Sequence, residues 1–150
     1  LAPGEALFLE AGNLHAYVEG VGVELMANSD NVIRGGLTNK HIDRETLLGL
    51  VSCEPGRPPV QRPRRSVHVY DVPVDDFSLV RIDGDDASLP LAGPAIALVT
   101  RGTATLTTAS HQLQLHRGEA AWVPASSARV EVAAKQGQVH LATTGSRAVP

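Results

Sequence analysis

The sequence predicts an all-β fold, and three observations carry that expectation. Short apolar runs recur along the chain; 14 glycines and 10 prolines separate them with turn chemistry; and only one stretch shows helical periodicity. Strands are expected first at Ala6–Leu9, Ala16–Val18 and Val21–Met26, divided by turns at Pro3-Gly4, Gly12-Asn13 and Glu19-Gly20. The single helix runs from Asp43 to about Val51, with Asp43 as N-cap and Leu47, Leu48 and Val51 at helical spacing. Leu25 and Met26 are expected in the core. Residues 54–65, EPGRPPVQRPRR, read as a stiff, solvated linker because Val60 is their only aliphatic side chain.

Beyond the linker the apolar runs fall at the regular spacing of a sandwich or small barrel. Strands are expected at Val67–Tyr70, Phe77–Ile82, Ile96–Val99, Thr103–Thr108, Gln112–His116, Ala120–Val123, Arg129–Val132 and Gln138–Ala142. The acids Asp71, Asp75, Asp76, Asp83, Asp85 and Asp86 fall mostly in the turns between them, without the spacing of an EF-hand loop.

Composition narrows the function classes. With 43% apolar residues, 19% charged residues and a net charge of −3, the chain suits a soluble globular protein and not a polybasic nucleic-acid binder. No apolar run is long enough for a membrane span. One cysteine, Cys53, allows neither an internal disulfide framework nor a multi-cysteine zinc site, and favours a cytoplasmic setting. The opening Leu1 points to a piece of a longer chain.

An internal repeat organises the chain. Leu1-x-x-Gly4-Glu5-Ala6-x-Phe8-Leu9-x-Ala11 recurs 114 residues later as Leu115-x-x-Gly118-Glu119-Ala120-x-Trp122-Val123-x-Ala125. Each copy places a glycine turn before a strand with an aromatic at its centre. Two related β units are therefore expected, the first present only in part.

The first copy continues Glu10-Ala11-Gly12-Asn13-Leu14-His15. The spacing from Gly4 through Gly12 to His15 resembles the second motif of the cupin superfamily, the jelly-roll or double-stranded β-helix proteins, with Glu10 where that motif has proline. The resemblance implies a histidine that points into a barrel and binds a metal, and imidazole nitrogen suits zinc and iron. In the second copy Ser126 stands in place of the second glycine and Arg129 in place of His15. That barrel is expected to be metal-free, with His68, His111, His116 and His140 as ordinary strand or turn residues.

A longer ordered string narrows the resemblance. His15-Ala16-Tyr17 followed by Glu24-x-Met26-Ala27-x-Ser29-Asp30-Asn31-Val32-x-Arg34-x-Gly36-Leu37-Thr38-x-Lys40 is similar to the C-terminal part of the type I mannose-6-phosphate isomerases, as is Val69-Tyr70-x-Val72-Pro73-x-x-x-Phe77. The resemblance implies His15 as a zinc ligand and Arg34 as the active-site arginine. It implies Tyr17, Glu24, Asp30 and Lys40 as residues lining the pocket for a sugar phosphate. Aldose–ketose isomerisation moves a proton between C1 and C2 through an enediol, so it needs a base, a cation near two oxygens and a phosphate anchor. Taken singly, Asp30 also suits a turn, Arg34 and Lys40 a solvated loop, Glu24 an ion pair, and Tyr17 a half-buried strand.

The expected division is residues 1–53 as the end of a catalytic cupin barrel with its loop and helix, 54–65 as linker and 66–150 as the second barrel. The family's other zinc ligands, a Gln, a His and a Glu, have no counterpart in this sequence. The chain alone is therefore expected to be inactive, and its unpaired first strands to invite a strand-exchanged homo-oligomer. A non-catalytic cupin module binding a sugar or a protein partner is the second reading. A metal-dependent cupin oxygenase is the third.

Overall fold

The computed structural model describes residues 1–29 and 32–145. It divides into two compact units, one made of Leu1–Ala6 and the chain from Gln61 onward, the other of Leu7–Val60. The all-β expectation is met. Eleven strands and one short α-helix are formed among the described residues, and no helix is long and apolar enough to cross a membrane.

In the larger unit, strands β3 (Val67–Val69), β4 (Phe77–Asp83), β6 (Ala95–Arg101), β9 (Ala120–Val123) and β11 (Gln138–Thr144) form an antiparallel sheet of order β3-β4-β11-β6-β9. Strands β5 (Asp86–Pro90), β7 (Thr103–Thr107), β8 (Gln112–His116) and β10 (Arg129–Ala133) form a second sheet of order β5-β10-β7-β8. Burial alternates along the strands, as a half-covered sheet requires: Ser78, Val80 and Ile82 of β4 and Val139, Leu141 and Thr143 of β11 are buried while their neighbours are partly exposed. The interior is aliphatic, with Val80, Ile82, Leu89, Val99, Val130, Val132, Val139 and Leu141 wholly inaccessible. Each such side chain contributes about 1.5–3 kcal/mol relative to an exposed one.

Two differences from the expected strands have physical causes. Asp86 opens β5 instead of closing a turn: its carboxylate accepts from the Ala134 amide at 3.1 Å and pairs with Lys135 at 3.4 Å, so the charge is satisfied at the sheet's edge. Within the Pro/Arg-rich segment, Val60–Gln61 forms β2, a two-residue strand paired with β1 (Ala6–Leu7).

The repeat is a repeated corner. Ala2-Pro3-Gly4-Glu5 and His116-Arg117-Gly118-Glu119 both close with a hydrogen bond from the glutamate amide to the carbonyl three residues back, at 3.0 and 2.9 Å. Gly4 and Gly118 take φ of +86° and +87°, the third-position conformation of a type II turn. In each copy the glutamate side chain folds back to accept from the amide three residues before it, at 2.8 Å. The copies then diverge. Glu10–Asn13 turns with Gly12 at φ +86°, whereas Pro124 leads into a 3₁₀ turn, Ala125–Ser127, ended by Ala128 in the left-handed region.

The smaller unit holds helix α1 (Arg44–Leu50), capped as expected by Asp43, whose carboxylate accepts from the Thr46 amide at 3.1 Å and its hydroxyl at 2.7 Å. The strands expected at Ala16–Val18 and Val21–Met26 are not formed. The apolar runs that suggest them are present, but no strand among the described residues pairs with them, and an extended segment without a ladder partner is not a sheet. Val18 and Val21 are essentially fully exposed, and Met26 is exposed rather than in a core.

Candidate active site

His15 follows a turn that its glycine makes possible. A Cβ on Gly12 would sit 2.7 Å from the Leu50 carbonyl oxygen, and the Gly12 carbonyl accepts from the Ser52 amide at 2.9 Å. The Glu10–Asn13 turn is thus seated against the C-terminal end of α1, where no larger residue fits. Two residues on, His15 Nδ1 lies 3.2 Å from the Asn13 carbonyl oxygen, which leaves Nε2 outward.

The structure brings three of the six candidate residues together. The His15 and Tyr17 rings meet edge to face at 6.1 Å, and the Tyr17 hydroxyl bonds to the Glu24 carboxylate. That bond, with a smaller contribution from burial, raises the Tyr17 pKa above its ordinary value. Arg34 and Lys40 lie exposed on the following loop, where the Lys40 amide bonds the Thr38 hydroxyl at 3.1 Å, and they are not joined to the His15 group. Asp30 lies outside the described residues.

This arrangement does not fit a zinc centre by itself. Among the described residues, no three His, Cys, Asp or Glu side chains converge to hold a metal, and a catalytic zinc takes about three protein ligands. In the larger unit the position aligned with His15 is Arg129, an exposed side chain that donates to the Ser88 hydroxyl at 2.6 Å. The interior of that unit holds only Ser78 and Thr143 as buried polar residues among those described.

A second polar cluster escaped the sequence reading. His68, Arg81 and His140 stand in one row across β3, β4 and β11, on the face opposite the core. Burial, reinforced by the positive charge of Arg81, lowers the pKa of both histidines. Asp83 pairs with both Arg81 and Arg101; burial pushes its carboxyl up, but the two guanidinium groups outweigh this and hold it below its usual value. The signal was present in the alternation, since all three row members fall out of phase with the core positions. It needed the pairing register to become visible.

The chain was compared with known proteins. The family profile described as phosphomannose isomerase type I C-terminal matches residues 69–112. The mannose-6-phosphate isomerase of Escherichia coli K12 is 42% identical over 138 residues, covering 88% of this chain and 35% of the relative. A probable mannose-6-phosphate isomerase of Dictyostelium discoideum is 42% identical over 142 residues, covering 85% and 31%. The chain belongs to the type I mannose-6-phosphate isomerase family. Among solved structures, a family member from Salmonella typhimurium, bound to fructose 6-phosphate and zinc, superposes with a TM-score of 0.66 at 31% identity, over 80% of this chain and 32% of that one. The chain thus spans about a third of the length of the curated relatives it matches.

Proposed function

We propose that this chain is the C-terminal portion of a zinc-dependent mannose-6-phosphate isomerase, in which residues 1–53 complete a catalytic cupin barrel, 54–65 form a linker and 66–150 form a metal-free second barrel. The observation that carries the reading is a likeness to such isomerases that extends over nearly nine-tenths of the chain. Zinc would take His15 together with ligands from polypeptide outside these 150 residues. Arg34 would stabilise the negative charge that develops as the proton moves between C1 and C2, and Lys40 would attract the phosphate. Tyr17, whose hydroxyl proton goes to Glu24, would accept from a sugar hydroxyl, and Asp30 would orient another.

The test is a coupled assay of mannose 6-phosphate conversion. The 150-residue chain gives no turnover and retains no zinc after dialysis. Extension at its N-terminus with the preceding part of the Escherichia coli relative restores both. In the extended protein Arg34→Ala lowers kcat by about 10²–10³, the scale of a lost charge-stabilising donor. Turnover by the 150-residue chain, or none from a folded extended protein, overturns the reading.

The exposed apolar segment around Val18 and Val21 supports a further part of the proposal, that the chain by itself forms a strand-exchanged homo-oligomer. Sedimentation then shows dimers or larger species, and Val18→Lys with Val21→Lys returns them to monomer. A wild-type monomer at all concentrations refutes it.

A further inference from the structure

Arg81, the middle member of one row of side chains on the outer face of the five-stranded sheet, is approached by a segment from far away in sequence. Gly4 passes over Arg81: a Cβ on Gly4 would lie 3.4 Å from the guanidinium Nε and Cζ, and 3.2 Å from Pro63 Cγ. Tyr70, only 5% exposed, donates to the Gly4 carbonyl at 2.7 Å and meets the His68 ring edge to face at 5.0 Å. Glu5 is held by Arg62 Nε at 2.7 Å and by the Ala2 amide at 2.8 Å. In the same row His68 Nε2, beside Tyr70, and Arg81 Nε, beside Gly4, are buried without a hydrogen-bond partner.

The charges facing the two histidines are predominantly positive. Arg81 and Arg64 face His68; Arg81 and Asp83 face His140. Asp83 already serves both Arg81 and Arg101. Among the described residues His140 is otherwise hydrogen-bonded only by the Thr100 hydroxyl, at 3.3 Å, and that hydroxyl donates to Gln138 Oε1 at 2.7 Å. A proton on either histidine would add a cation beside Arg81 with no new carboxylate to balance it.

We propose that His68, Tyr70, Arg81 and His140 form an acid-released latch, which seats Leu1–Ala6 on the sheet at neutral pH and lets it go, with the sandwich still folded, when the histidines take up protons. Opening gives His68 Nε2 access to water, so proton uptake and release of the segment are one linked equilibrium. With ordinary imidazoles protonating near pH 6.5 in the open form, the open population rises between pH 8 and 5 by at most about 30-fold per histidine.

The test is amide exchange by NMR on the whole chain, corrected for the intrinsic pH dependence of exchange. Between pH 8 and 5 the opening constant at the Ala6 amide rises about tenfold or more, while amides of β4 and β11 keep their protection. His68→Gln reduces that rise to a few-fold, and His140→Gln does so independently, so a folding defect in one variant leaves the other decisive. Tyr70→Phe raises opening at both pH values. Amide protection in β4 and β11 at pH 8 verifies that each variant is folded. Equal opening at both pH values, an unchanged pH dependence in the histidine variants, or parallel loss of protection in β4 and β11 overturns the latch.

Discussion

Two glycines show how differently the same backbone sign can be enforced. Gly118 takes a positive φ in open space, so Gly118→Ala meets only the left-handed backbone penalty, about 1–2 kcal/mol. Gly102 also has a positive φ, but a Cβ there would run into the Gln136 carbonyl and the Gly137 backbone. Gly102→Ala therefore costs at least about twice as much as Gly118→Ala, because neither backbone neighbour can swing aside. Urea denaturation of the two variants reads the difference directly, and equal midpoints would contradict it. At this scale the sequence was legible where chemistry is local: Asp43 as a cap follows from Asp, Thr46 and the apolar spacing of the next turn. The Tyr70–Gly4 bond was not legible, since it joins residues 66 apart and neither one signals the other.

At the scale of elements, legibility followed the availability of a partner. Gln112–His116 and Ala120–Val123 form strands with the expected bounds because each run finds a neighbour, β7 and β6 respectively. The apolar runs at 16–18 and 21–26 form no strand, since pairing is supplied by the rest of a fold and not by the run itself. Of the candidate site, the sequence order placed His15, Tyr17 and Glu24 as neighbours across a turn, whereas Arg34 and Lys40 lie on a loop whose position no periodicity specifies. The helix gives a prediction of its own. The Thr46 side chain and amide hold the Asp43 carboxyl below its usual value, so the cap acts above the ordinary aspartate pKa and is lost as pH falls through the lowered one, below about 4. Amide exchange in Arg44–Leu50 should quicken there, and Asp43→Ala should show the quickened rate at every pH. A wild-type rate with no such step would show that the cap is not what holds this helix.

For the molecule as a whole, pH acts in two windows. The folded pKa of His68 and His140 lies below that of the unfolded chain, so the unfolded state binds more protons; the stability this represents is complete above about pH 6.5 and is lost as pH falls toward the folded values. Asp83 and Asp85 are also depressed, the latter by the Ser66 hydroxyl, and their contribution disappears only below the ordinary carboxylate range. Urea midpoints should therefore decline once between pH 7 and 5 and again below pH 4. The double variant His68→Gln with His140→Gln should flatten the first decline and leave the second. A single acid transition unaffected by both substitutions would place the sensitivity elsewhere.

The duplicated corner at Gly4 and Gly118 bears on how such a chain can change over time. A bend whose positive φ favours glycine, and whose glutamate ties off its own first amide, is closed by hydrogen bonds within its own four residues. It can be copied into a new context and still turn the chain the same way. The position that follows it, histidine in one copy and arginine in the other, carries no such internal constraint. Geometry and chemistry in this repeat are therefore separately heritable, and a gene that doubles the unit is free to alter one without endangering the other.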